Sequence, residues 1–89
     1  MKVECATFNR ADGAYQAVCI VKDPDYTFVL DYTHTEEDTI ALQVYGDLAG
    51  WWLEFTEGET DPRKYFGPAV TQLEPRTLAY MIRDCYLNE

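Results

Sequence analysis

No serine occurs anywhere in this chain and histidine occurs once, at His34, so a serine nucleophile is excluded and a histidine pair cannot form. Glycine-rich phosphate cradles are missing as well: neither GxGxxG nor GxxxxGK followed by Ser or Thr is present. Cysteine is limited to Cys5, Cys19 and Cys85, with no CxxC pair and no metal-ligand spacing, which argues against zinc. No stretch approaches the roughly eighteen apolar residues of a membrane span, and the opening MKVECATFNR lacks the apolar run of a signal peptide. Positive charge is scarce, with seven Lys and Arg against sixteen Asp and Glu. A field of that sign repels phosphates and anionic membranes, so direct binding to either is not expected.

What is present describes a folded chain. Apolar residues make up 47% and aromatics 15%, enough to build a core and too many for a disordered segment. The 89 residues form one domain, 1–89, with a thin core. Three buried thiols in a reducing cytoplasm are the simplest expectation for the cysteines. A Cys5–Cys19 bridge is the alternative if the first two strands pair.

Alternation of apolar and polar residues marks a series of strands. Lys2 to Phe8 sets Val3, Cys5 and Thr7 on one side and Lys2, Glu4, Ala6 and Phe8 on the other. Asn9 to Gly13 reads as a hairpin turn. Ala14 to Val21 carries apolar residues on both faces, as a central strand does. A turn over Lys22 to Asp25 leads to Tyr26–Thr33, with Tyr26, Phe28, Leu30 and Tyr32 sharing a face. After the acidic break His34 to Asp38, Thr39–Gly46 points Ile40, Leu42 and Val44 one way, and Trp51–Phe55 is a fifth candidate strand. Thr56 to Ala69 reads as a long surface loop.

Pro75 opens a closing helix behind Glu74, and Leu78, Met81, Ile82, Cys85 and Tyr86 follow at the i, i+3, i+4, i+7, i+8 spacing of an apolar stripe. The expected fold is therefore α+β and two-layered: an antiparallel, meander-like sheet of four to five strands packed against one C-terminal α-helix.

Chemistry is harder to place. His34 sits in an acidic turn, where a solvated side chain is the ordinary reading, and the cysteines occupy apolar positions unsuited to a reactive thiolate. Glu36, Glu37 and Asp38 lack the alternating ligands and central glycine of a calcium loop. An enzyme is not expected, nor a cofactor or metal. The carboxylates instead gather in groups: Asp23 and Asp25; Glu36, Glu37 and Asp38; Glu54, Glu57, Glu59 and Asp61. The first two groups flank opposite ends of one strand, and such a row has the charge spacing of several phosphates along a nucleic-acid backbone. Trp52, facing opposite to Trp51, is a candidate contact anchor. Tyr65 belongs to the only basic–aromatic cluster, Arg63-Lys64-Tyr65, which, with Glu59 and Asp61 beside it, also reads as a loop that salt-bridges locally.

In size, acidity and want of catalytic residues the chain resembles the anti-restriction and anti-CRISPR proteins carried by bacteriophages, a resemblance of composition with no motif behind it. It implies an inhibitor of the bacterial cytoplasm that occupies the basic nucleic-acid-binding surface of a nuclease or effector complex. Three other readings fit the same features: an immunity protein neutralising a toxic nuclease, a small assembly subunit that pairs as a homodimer through a sheet edge or its tryptophans, or acidity that serves solubility alone.

Overall fold

The computed structural model describes residues 1–47 and 61–87. Four strands form one antiparallel sheet in the order β1 (Lys2–Asn9), β2 (Tyr15–Asp23), β3 (Tyr26–His34) and β4 (Ile40–Gly46). Each strand lies beside its sequence neighbour, so the sheet is a meander of hairpins. The expected fifth strand, Trp51–Phe55, lies outside the described residues. After it come a four-residue helix α1 (Arg63–Phe66), a 3₁₀ helix (Pro68–Gln72) and the long helix α2 (Pro75–Leu87). The part of the expected surface loop that is described, 61–69, is thus helical. The chain turns there as Pro62 precedes α1 and Pro68 starts the 3₁₀ segment, each supplying a φ already set for a helical turn.

Register divides the strands cleanly. Val3, Val21 and Phe28 form one row across the sheet, Cys5, Cys19, Leu30 and Val44 a second, and Thr7, Ala17, Tyr32 and Leu42 a third. These rows face α2, whose Leu78, Ala79 and Ile82 join them in the core together with Val70 of the 3₁₀ helix. Phe28, Leu30, Leu42, Ile82, Val21 and Cys19 are all but inaccessible. Met81 and Cys85 of the helical stripe are only half-buried, and Ala79 takes a place in the core that periodicity from Leu78 did not assign. An alanine beside the stripe is small enough to let the helix lie close to the sheet.

The turns follow local chemistry. At the first hairpin the Asp12 carboxylate accepts the Ala14 amide at 3.1 Å, and Gly13 takes φ +85°, which favours glycine. Pro24 and Asp25 alone connect β2 to β3, with Asp23 Oδ1 accepting the Asp25 amide. Gly46 ends β4 at φ +97°, where a Cβ would stand 2.6 Å from the Thr27 carbonyl.

Cys5 and Cys19 are directly opposite on β1 and β2, Cα atoms 4.1 Å apart, and form a disulfide. This corrects the expectation of three buried thiols: hairpin register brings two of them together, and only Cys85 is free. Cysteine usage therefore gives no ground for placing the chain in a reducing compartment. Among the described residues, no helix is long and apolar enough to cross a membrane.

Candidate functional site

The meander carries successive turns to alternate ends of the sheet. The β1–β2 and β3–β4 turns share one end and the β2–β3 turn lies at the other. Glu36 stands against Gly13, so that a side chain at Gly13 would collide with its carboxylate; this shows how closely the two turns at the first end approach. Asp12, Glu36, Glu37 and Asp38 thus gather at that end. Asp23 and Asp25 lie at the far end, beside Asp47, whose carboxylate accepts the Thr27 amide at 2.9 Å. The nine residues of β3 separate the two groups by roughly 30 Å at about 3.3 Å per residue.

These carboxylates are not equivalent. Asp38 adopts φ +64°, a left-handed conformation that Asp tolerates better than most side chains. Its Oδ1 lies 2.7 Å from His34 Nε2, its Oδ2 accepts from Arg63 Nη1 at 2.9 Å, and its backbone carbonyl accepts from Arg63 Nη2 at 3.0 Å. Arg63 also donates to both carboxylate oxygens of Asp61. One guanidinium therefore ties the β3–β4 turn to the start of α1, 25 residues away. The hydrogen bonds from His34 and Arg63 hold the Asp38 carboxyl below the usual carboxylate range, and those from Arg63 do the same for Asp61. The Arg63 guanidinium is correspondingly held more firmly in its charged form.

Asp38 and Asp61, both candidate partner-binding residues, are thus engaged by the chain's own arginine. This is the local salt bridging expected of the Arg63-Lys64-Tyr65 segment. The backbone of Tyr65 lies in α1. Trp52, Glu54, Glu57 and Glu59 lie outside the described residues. Glu36, Glu37 and Asp25 remain exposed, and among the described residues no basic side chain pairs with them.

The sign of the Asp38 and Asp61 shifts sets a pH dependence. Their folded-state values are depressed, so their stabilising effect is present above the ordinary carboxylate value near 4 and is lost as pH falls through the lower, folded values. Arg63→Gln is accordingly expected to lower Tm more at pH 7 than at about pH 2. Thermal melts at the two pH values test this; an equal deficit at both would mean that Arg63 acts by packing and not by charge.

Opposite the core lies a face that sequence reasoning did not single out. Glu4, Ile20, Val29 and Tyr45 form one row across it, and Ala6, Val18, Asp31 and Gln43 the next, with Phe8 at the border. None of these residues is buried, and Phe8, Ile20 and Tyr45 are about 40–50% exposed. The apolar residues on both faces of β2 accompany a strand that is central in the sheet yet covered on one face. The available signal was the single closing helix, which can cover one face and, among the described residues, leaves Phe8, Val18 and Ile20 without a cover. A shallow apolar cavity of about 340 Å³ lies here, lined by Glu4, Cys5, Ala6, Phe8, Val18 and Ile20.

Tyr32, buried beside Tyr15 in an edge-on contact, has the one buried side-chain oxygen without a hydrogen-bond partner among the described residues. Burial pushes its phenol pKa up. No group of three or more His, Cys, Asp or Glu among the described residues is placed to hold a metal ion.

Fold and surface together define a two-layer α+β domain with acidic turns at both ends and an open, partly apolar sheet face. No protein-family model matches the chain, and no curated protein or solved structure matches it.

Proposed function

We propose that this domain is a non-catalytic, acidic binding protein that occupies the basic nucleic-acid-binding surface of a larger nuclease or effector complex, in the manner of phage anti-CRISPR and anti-restriction inhibitors. The observation that carries this reading is the pair of acidic turns about 30 Å apart, whose Glu36, Glu37 and Asp25 are exposed and unpaired among the described residues. Carboxylates already neutralised by their own chain add little to a partner's affinity. Those left in water, on rigid hairpin tips, attract a basic surface at long range and are desolvated only on contact. The net charge of −9 gives the approach its direction.

The expectation follows that Glu36→Lys with Glu37→Lys slows association with such a partner by about tenfold or more and flattens its salt dependence, while Tm changes little. The partner is first captured from a bacterial lysate at low salt, identified, and shown to be displaced by double-stranded DNA. Surface plasmon resonance at 50 and 300 mM salt then reads the on-rate for parent and variant. Unchanged affinity and an unchanged salt slope would rule out acidic mimicry at this turn.

A further inference from the structure

Charge is unevenly divided along the chain. The first hairpin, residues 1–22, holds Lys2, Arg10 and Lys22 against Glu4 and Asp12, a net of +1. The remaining residues hold four basic side chains against fourteen acidic ones, a net of −10. Within the hairpin both carboxylates are paired, Glu4 with Lys2 at 3.0 Å and Asp12 with Arg10 at 3.0 Å. The acidic excess is concentrated in residues 23–60, so the β1 hairpin is a region where two copies of so acidic a chain could meet without strong repulsion.

Among the described residues, β1 is also an open edge. Of its eight residues only Val3 is buried. The direction of its free backbone groups follows from the hairpin. The Arg10 amide donates to the Ala14 carbonyl, so Arg10 and Ala14 form a hydrogen-bonded pair. By alternation, Phe8, Ala6, Glu4 and Lys2 also bond to β2. Val3, Cys5, Thr7 and Asn9 therefore direct their N–H and C=O groups outward. The close approach of the Cys5 and Cys19 Cα atoms, 4.1 Å, agrees with a non-hydrogen-bonded pair. The edge is straight and free of proline, and no charged side chain on the strand points into the core, so the usual blocks to edge pairing are absent.

We infer that a second copy of this chain pairs antiparallel with the outer edge of β1, about a two-fold axis at Ala6, to make a continuous eight-stranded sheet. A two-fold normal to the sheet keeps each face on its own side, so opposing residues must come from the same face. Centring on Ala6 places Cys5 opposite the partner copy's Thr7 and Val3 opposite its Asn9, which satisfies all four outward-facing amides. It also sets Phe8 opposite the other copy's Glu4 in a non-hydrogen-bonded pair, where side chains approach most closely. There the half-exposed ring enters the apolar cavity beside Ala6, Val18 and Ile20. Phe8 and the cavity's Glu4 and Ala6 lie on one strand at a spacing that the two-fold exchanges, with Val18 and Ile20 of β2 and the copy's own Phe8 completing the lining, which meets the condition for an isologous contact. The acidic turn at Asp23 and Asp25 belongs to the β2–β3 connection, away from the mid-strand axis.

The test uses the intact chain and two variants. Sedimentation equilibrium is expected to give twice the 10.3 kDa chain mass at high concentration, with dissociation on dilution. Thr7→Pro removes an outward amide that plays no part in the β1–β2 ladder, so the fold should persist while the dimer weakens by about 30-fold or more, since two hydrogen bonds are lost across the axis. Phe8→Glu should weaken it comparably, because the ring is lost and a carboxylate is set against the other copy's Glu4. In the parent chain, hydrogen exchange at Val3, Cys5, Thr7 and Asn9 should slow as concentration rises, a readout independent of whether either variant folds. A monomer with fast exchange at all four amides at millimolar concentration would overturn the inference. So would slow exchange in a monomer, which would mean that the chain covers its own edge, or a dimer untouched by both folded variants, which would place the contact elsewhere.

Discussion

Phe28→Ala is expected to bring the domain close to unfolding at room temperature. Phe28 has no accessible surface, sits on an inner strand between Val21 and Gly46, and stacks at 6.1 Å on Tyr26. Truncating a buried phenylalanine costs about 3–5 kcal/mol, because the lost transfer energy adds to the cavity left behind. Relaxation around the hole is hindered on both sides. The Cα of Phe28 would stand only 3.2 Å from a Cβ at Gly46, so β3 and β4 already approach as closely as the backbone permits. A domain of this length has roughly 5–13 kcal/mol of total stability, so the loss is a large share of the whole. Urea unfolding followed by tryptophan fluorescence would show the midpoint fall to half its value or lower. A loss under about 1 kcal/mol would mean that the layer formed by Phe28, Leu30 and Ile82 is not the main core.

Reduction of the Cys5–Cys19 disulfide is expected to cost about 3 kcal/mol, the loop-closure contribution for a separation of this size. The bond also crosses from an exposed position on an edge strand to a fully buried one, so it fastens the part of the sheet with the fewest core contacts. Unfolding midpoints with and without dithiothreitol should differ in the parent chain and coincide in a Cys5→Ala, Cys19→Ala double variant. Thiol titration of the unfolded, unreduced chain should find one group, Cys85. Three titratable thiols, or a midpoint that ignores reductant, would contradict the pairing.

The two effects bear differently on function. Phe28 supports the rigidity of both hairpin tips at once, since β3 joins them, and its loss would blur the acidic spacing along with the fold. The disulfide acts on β1 alone. Its reduction should disturb the proposed edge pairing more than binding through Glu36 and Glu37, which makes it a convenient way to separate the two surfaces experimentally.

Much of this architecture was legible in residue order. The alternation of Ile40, Leu42 and Val44, the even-numbered apolar set of β3, and the stripe through Leu78 and Ile82 each name a buried face, because a pleat repeats every two residues and a helix every 3.6. Turn chemistry at Asp12-Gly13 and Pro24-Asp25 limits the connections to hairpins, and hairpins in succession make a meander. The helical character of 61–72 was not legible: segments of four and five residues are too short for periodicity, and Val70 and Pro62 are buried by what surrounds them.

The candidate site divides along the same line. That carboxylates cluster in turns is a property of residue order. Which of them are free is not, because Arg63 reaches Asp38 across 25 residues and no local pattern announces that contact. Cysteine pairing was open for a similar reason: Cys5 and Cys19 could be known as neighbours only once hairpin register was set, a one-residue slip being enough to place them on opposite faces. The open face with Phe8, Ile20 and Tyr45 likewise depends on counting the elements left over to cover it. Sequence by itself determined the strands, the turns, the helix and the sign of the surface charge, because these rest on interactions between residues a few positions apart. Tertiary structure alone decided which acids are neutralised, which cysteines are bonded and which apolar residues stay in water, because each depends on groups that meet only after the sheet has formed.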